Sequence, residues 1–286
     1  MIGIDWGTSS LRAYRLDAAG AVLDKRDSAD GILAVPAGGF PAVLARVAGD
    51  WLREDPRLLL CGMVGSRQGW LEAPYLPCPA GMVEVAAALT PLPGGLGWLV
   101  PGLSMRDASG VPDVLRGEEC KLLGLLAQGV EGLVCLPGTH SKWARLAGGR
   151  VVGFETHMTG EVRAVLLGHS ILGRLAAPGE SAEAFALGVG RSGEPGGLLH
   201  HVFGTRALGL AGELPETATA SYLSGLLIGH EIRAAWQPGE AVQLAAAEVL
   251  AAPYAAALAQ LGVPFQRHAD DVVAAGLAAV AARLRW

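Results

Sequence analysis

One design occurs twice in this chain, and the repetition constrains its fold more than any other feature. Residues 2–4 are apolar and lead into Asp5; Gly7, Thr8, Ser9 and Ser10 follow, and residues 11–16 again have strand character. Roughly 130 residues later, residues 133–136 are apolar and Gly138, Thr139, His140 and Ser141 occupy the matching turn. Ala144 then falls opposite Ala13. Each copy turns at glycine (Gly20; Gly148 and Gly149) into a third apolar stretch, residues 21–23 and 151–154. Two strand–turn–strand–turn–strand units predict two similar α/β halves facing a shared cleft, because repetition in sequence reports a duplicated structural unit.

Glycine and small hydroxyl residues let backbone amides converge on an anion, since no bulky side chain blocks the approach. A carboxylate beside such a turn repels phosphate unless a divalent cation stands between them, so Asp5 points to Mg²⁺. Taken alone, the first turn is equally compatible with an ordinary β-hairpin. The second copy has Leu136 at the position of Asp5, and it adds Lys142, a cation suited to neutralising phosphate charge. His140 is a donor to phosphate or a packing residue. Neither turn is a Walker loop, for GxxxxGK[ST] occurs nowhere in the sequence.

Composition narrows the rest. A chain of 286 residues, 51% hydrophobic and 17% charged, buries a substantial core in one or two domains. A formal charge of −5 with no run of Lys and Arg speaks against nucleic acid as a partner. The mean hydropathy of +0.37 comes from Ala, Leu and Gly, and every long apolar stretch is interrupted, so no membrane span is expected. The opening residues carry no basic leader, and a cytoplasmic location is the expectation. Cys61, Cys78, Cys120 and Cys135 form no CxxC pair and read as core thiols; His157, His169, His200 and His201 lack ligand-spaced partners for zinc.

Between the two copies, residues 39–54 show helical spacing and residues 58–63 read as a buried parallel strand. The glycine-rich loop after that strand lies where open α/β sheets place ligands, which makes Ser66, Arg67 and Gln68 candidates to hold a substrate. Asp113 is expected to open a helix running to about Gln128, as a cap or as something more. Thr159 and Gly160 precede a second helix whose N-terminus favours anions, with Glu161 as a capping acid or a site residue. Residues 180–235 look helical, with Phe185, Leu187, Leu198, Leu199, Val202, Phe203 and Leu208 as core positions. Gly225 and Gly229, four residues apart, permit close approach by a helix or by a nucleotide.

The two turns resemble those of the superfamily of sugar kinases, actin and heat-shock ATPases. More closely, the chain resembles the 2-dehydro-3-deoxygalactonokinase family. The resemblance rests on residues 4–9, 63–70, 137–143 and 158–161, with 116–119 and 225–232 also fitting, so it runs in order over most of the chain. It implies two actin-like (ribonuclease H-like) domains with a nucleotide cleft between them, a domain of residues 1–105 and a domain of residues 106–286. It also implies ATP and Mg²⁺ and a small sugar-acid substrate. The roles it implies are metal contact for Asp5, phosphate binding for Gly7–Ser10, Gly138–Ser141, Gly225 and Gly229, and a substrate clamp from Ser66, Arg67, Gln68 and Glu161. Asp113 becomes the base and Lys142 the catalytic cation, with Glu118 and Glu161 as alternative bases. Arg163 departs locally from the family pattern. Ala245, Ala246 and Ala247 stand where such kinases typically turn at glycine against adenosine, which leaves open a non-catalytic nucleotide sensor; a kinase for a related sugar acid or sugar is the other alternative. A homo-oligomer is compatible with the sequence.

Overall fold

The computed structural model describes residues 1–286. The opening repeat forms strands β1 (Ile2–Trp6), β2 (Leu11–Leu16) and β3 (Val22–Ser28). Helix α1 (Phe40–Glu54) then returns the chain to β4 (Leu58–Cys61), followed by β5 (Tyr75–Pro77), β6 (Ala80–Gly81), α2 (Met82–Ala87), β7 (Thr90–Pro91) and β8 (Trp98–Leu99). A second hairpin, β9 (Gly102–Arg106) and β10 (Pro112–Leu115), precedes α3 (Glu118–Ala127). The second repeat supplies β11 (Gly132–Leu136), β12 (Ser141–Ala147) and β13 (Arg150–His157). Four helices follow: α4 (Thr159–His169), α5 (Ala182–Arg191), α6 (Gly197–Leu210) and α7 (Thr219–Ala235). The chain closes with β14 (Val242–Ala245), α8 (Glu248–Gln260), β15 (Phe265–His268) and α9 (Val272–Ala281).

The duplication visible in sequence reappears as topology. One sheet has the order β3-β2-β1-β4-β8-β7, with β1 antiparallel to β2 and parallel to β4. Another has the order β15-β14-β11-β12-β13-β6, with β11 parallel to β14 and β14 parallel to β15. Leaving aside the added edge strands β7 and β6, each sheet lists its five strands as 3-2-1-4-5. That is the arrangement of a ribonuclease H-like, actin-like unit. Parallel neighbours require crossovers long enough for a helix: α1 leads into β4, α4 to α7 into β14, and α8 into β15.

By internal contacts the chain divides into two units, residues 1–131 with 144–154 and 269–286, and residues 132–143 with 155–268. In the first, α1 lays Phe40, Val43, Leu44, Val47 and Trp51 on Ile2, Ile4, Leu58 and Leu60 of the sheet. The i, i+3, i+4 spacing of those helical residues puts them on one face, which is why this element was legible. In the second, Ala251, Tyr254, Ala257 and Leu258 of α8 pack with Cys135, Val242 and Leu244.

This division differs from a single boundary near residue 105, and close packing of α3 against α9 is the physical reason. A Cβ on Gly124 would stand 2.0 Å from the Val272 carbonyl oxygen, and one on Gly276 would stand 1.8 Å from that of Cys120. Two helices at that separation pack backbone to backbone, so α3 and the C-terminal helix join the unit that holds the first sheet.

Three sequence expectations are corrected. Asp113 does not open a helix: it lies in β10, paired opposite Met105 of β9, and α3 begins at Glu118 after Gly117. Leu187, Leu198, Leu199 and Phe203 are exposed, Leu199 to 88%, rather than core. Gly225 and Gly229 are helix-packing positions, since a Cβ on them would meet the Phe185 carbonyl oxygen at 2.0 Å and Ser192 Oγ at 2.4 Å. That contact is with α5 and its C-cap, the helix-packing alternative of the two that the spacing allowed.

Gly276→Val is expected to lower stability by at least about 2 kcal/mol, through overpacking at the α3–α9 contact. Urea denaturation of the purified variant checks this; an unchanged midpoint would show that the two helices separate without cost.

Candidate active site

Asp5 lies in β1, its partners Arg12 on β2 and Cys61 on β4. Its carboxylate is mostly buried, and burial raises its pKa to about 6 against the opposing pull of Lys121 and Arg12. Those two cations are not free to pair with it fully. Arg12 Nη1 lies 2.6 Å from Asp270 and 4.0 Å from Asp5, and Lys121 Nζ lies 2.6 Å from Asp270. Burial would raise Asp270 too, but Lys121 and Arg12 together hold it below the usual carboxylate range. Asp270 is the functional neighbour that sequence reasoning missed; nothing in a polar residue before a C-terminal helix signals a partner more than 250 positions away.

The turn beyond Asp5 is closed by Gly7 N–H donating to the Ser10 carbonyl at 2.9 Å, and Thr8, Ser9 and Ser10 are exposed. It is braced from behind. Ile32 N–H donates to the Gly7 carbonyl at 3.0 Å, and Leu33 N–H to that of Thr8 at 3.3 Å. Gly31 makes this bracing possible, because a Cβ there would stand 2.3 Å from the Thr8 carbonyl oxygen.

The surroundings of Asp5 fit a small hard cation. Gly62 has φ of +99°, and a Cβ on it would come within 3.2 Å of Asp5 Oδ1. The absence of that Cβ leaves one side of the carboxylate clear. Glu118 Oε2 is buried without a hydrogen-bond partner, and Glu118 is close enough to push the Asp5 pKa upward. One or two carboxylates plus phosphate oxygens and water are the usual donor set for Mg²⁺. No cluster of three or more His, Cys, Asp or Glu side chains offers an all-protein metal cage.

The loop after β4 is where the sheet topology expects ligands. Arg67 is exposed, its side chain 87% accessible, with Glu72 3.5 Å away. Gln68 is exposed as well, and Ser66 Oγ is buried without a partner. Trp70 stacks on Phe40 at 6.1 Å, packing the loop to the core. A second guanidinium supports the same loop. Arg116 is buried, donates to the Ala73 carbonyl at 2.7 Å and lies 4.3 Å over the Tyr75 ring. Burial raises the neighbouring Glu119 to about 8. The Asp113 carboxylate accepts a hydrogen bond from Val114 N–H at 2.7 Å.

The second turn differs from the first. Gly138, Thr139 and His140 lie at its surface, and the start of α4 packs directly beneath it. Glu161 N–H donates to the Thr139 carbonyl at 3.0 Å, and a Cβ on Gly160 would stand 2.6 Å from the Gly138 carbonyl oxygen. His140 Nε2 contacts the Glu161 carboxylate. Ser141 does not offer its hydroxyl outward, as expected from sequence; it is fully buried and shares a hydrogen bond of 2.7 Å with Tyr254 Oη. Tyr254 in turn donates to Glu231 at 2.7 Å, and Glu231 accepts from Trp143 Nε1 at 2.8 Å. Burial, and then the Glu231 charge, drive the Tyr254 pKa well above its ordinary value. Lys142 is buried and its ammonium donates to the His140 carbonyl at 3.2 Å, so it braces the turn from within.

Beside this turn opens a hollow of about 980 Å³. Gly138, Thr159 and Gly160 lie at its polar side, and Phe185, Leu227, Ile228, Ala252 and Pro253 supply apolar wall. A hollow with an anion-binding rim and an apolar wall suits a planar base attached to phosphates.

A duplicated ribonuclease H-like sheet with a glycine-and-hydroxyl turn after the first strand of each copy defines a phosphotransferase of the actin-like kinase class. Comparison with known proteins sharpens the class. The model of the 2-keto-3-deoxy-galactonokinase family matches residues 5–280. A Rhizobium meliloti protein described as a probable 2-dehydro-3-deoxygalactonokinase is 39% identical, covering 99% of this chain and 96% of the relative. The Escherichia coli 2-dehydro-3-deoxygalactonokinase is 36% identical, covering 98% and 97%. A crystal structure from Sinorhizobium meliloti, provisionally described as the same kinase, superposes with a TM-score of 0.88 at 37% identity, covering 98% and 97%. The chain belongs to the 2-keto-3-deoxy-galactonokinase family. No helix is long and apolar enough to cross a membrane.

The folded-state pKa of Asp5 is raised, so ionising it opposes folding, and stability falls as pH rises from about 4 to about 6. Asp5→Asn is therefore expected to be more stable than the parent at pH 7 by about 1–3 kcal/mol, with the gain vanishing near pH 4. Urea midpoints of both proteins across that range, without nucleotide or metal, check the sign. Tyr254→Phe strips partners from Ser141 and Glu231 and is expected to cost about 1–3 kcal/mol; thermal unfolding measures it.

Proposed function

We propose that this kinase transfers the γ-phosphoryl group of ATP to the terminal primary hydroxyl of 2-dehydro-3-deoxy-D-galactonate, giving the 6-phosphate. The observation that carries this reading is the family match over residues 5–280, joined to the nucleotide-sized hollow beside the second glycine turn. Phosphoryl transfer asks a protein chiefly for positioning and charge neutralisation, which suits a site built from turns and helix starts.

Each residue has a proposed part. Asp5, with Glu118 beside it, would hold Mg²⁺, which when bound supplies positive charge against the phosphate oxygens. The backbone amides of Gly7–Ser10 and Gly138–Ser141 receive phosphate, with the hydroxyls of Thr8, Ser9, Ser10 and Thr139 as further donors. His140 donates beside them when Glu161 orients its ring. Lys142 acts mainly by fixing the shape of the second turn. Arg67 grips the sugar-acid carboxylate, for which a planar guanidinium fork is better suited than an ammonium, and Ser66, Gln68 and Glu161 address the remaining polar groups. Asp113 accepts the proton of the attacking hydroxyl as the new P–O bond forms and the bond to the departing ADP breaks. The apolar wall of the hollow takes the adenine ring. Ala245 and Ala246 are buried, with Val249, Leu250, Ala252 and Pro253 of α8 lining the hollow.

A coupled ADP-release assay against keto-deoxy sugar acids of galactonate and gluconate origin, with hexoses as controls, tests the assignment. Highest kcat/KM on the galactonate-derived acid is expected; ATP binding without turnover on any of them would make the chain a sensor. Asp113→Asn is expected to lower kcat at least 100-fold with ATP affinity unchanged, and near-normal turnover would transfer the base to another carboxylate. Arg67→Lys is expected to raise the sugar-acid KM with kcat little altered.

A further inference from the structure

We infer that Arg163 binds the phosphate chain of the donor nucleotide, an inference that rests on the hollow beside Gly138 being the donor site. Arg163 is the only lysine or arginine lining that hollow. It sits one turn into α4, four residues beyond Thr159 and three beyond Gly160, so all three share one side of the helix. Thr159 and Gly160 line the hollow beside Gly138, at its phosphate-accepting side.

The side chain is held but not neutralised. Arg163 Nε donates to Ser224 Oγ at 2.5 Å, and Ser224 is itself fixed by donating to the Ala220 carbonyl at 2.7 Å. One edge of the guanidinium is thus anchored on α7. No carboxylate lies within ion-pairing distance of it, whereas Arg12, Arg15, Arg26, Arg46, Arg57, Arg150 and Arg267 each have one. The two terminal amino groups keep their donors for a ligand, and a planar fork with a fixed edge is preorganised for phosphate oxygens.

A second helix start reinforces the polarity. α5 opens at Ala182, capped by Ser181, whose hydroxyl accepts from Ala184 N–H at 3.1 Å, and Ser181 and Ala182 both line the hollow. Two helix N-termini and one unpaired guanidinium therefore border the same space, with Glu180 as the single carboxylate among its lining residues. The apolar remainder disfavours the highly hydroxylated sugar acid and favours a nucleoside, so the anion that Arg163 meets is the phosphate chain attached to it.

Titration calorimetry on the full chain tests this with ADP, AMP and adenosine as ligands. Arg163→Ala is expected to weaken ADP 10- to 100-fold while adenosine changes less than twofold, and Arg163→Lys is expected to fall between. ADP binding as tight as in the parent overturns the proposal, and so does an equal loss for ADP and adenosine. A raised KM for the sugar acid with ADP affinity intact also overturns it, by giving Arg163 to the acceptor. Ala256→Trp, which fills the hollow, should weaken all three ligands. Parent-like ADP binding in that variant removes the hollow itself as the donor site and the role of Arg163 with it, whereas failure of Arg163→Ala alone leaves the donor site standing.

Discussion

A carboxylate placed at the end of a buried strand, with its counter-charges committed elsewhere, is the constraint on which the rest of the first unit depends. Asp5 is desolvated, and the two cations nearest to it are drawn to Asp270 at 2.6 Å each. Were Asp270 absent, Arg12 would be free to close on Asp5 and remove its charge from the site. As built, Asp5 retains an unmet demand for positive charge, which is the condition that the proposed metal contact needs. The cost appears as a pKa raised to about 6. Gly62 and the unpartnered oxygen of Glu118 belong to the same economy of space and charge.

The second unit solves a different problem with the same topology. It has Leu136 where the first has Asp5, so it lacks the carboxylate. Its turn is held by a buried polar chain from Trp143 through Glu231 and Tyr254 to Ser141. Each of these groups has a partner, which is the condition under which buried polar atoms rigidify rather than destabilise. Lys142 spends its ammonium on the turn's own carbonyl. Rigidity of this kind suits the proposed phosphate contact, because an amide nest that is already formed loses little entropy when an anion arrives.

Much was legible before folding, and the failures share a cause. β1, β2, α1 and β14 follow from local pattern, since periodicity and turn chemistry act over a few residues. Asp113 was misplaced because Pro112 and Asp113 look like a helix start, while the β9 partner that makes them a strand lies several residues back across a glycine turn. Leu199 and Phe203 were assigned to the core because hydrophobicity predicts burial only where a partner surface exists. Gly225 and Gly229 carried the right physical meaning, close approach, but sequence could not say that α5 rather than a ligand makes the approach.

The amino-acid sequence by itself determined the duplicated unit, the two turns and the class of chemistry, since each depends on residues that are neighbours along the chain. Only the tertiary structure decided which cations surround Asp5, which hydroxyls the core consumes, and that Arg163 borders a hollow without an acid to neutralise it. Those facts are set by side chains converging from distant segments, and electrostatics and packing depend on distance in space, which separation along the chain does not encode.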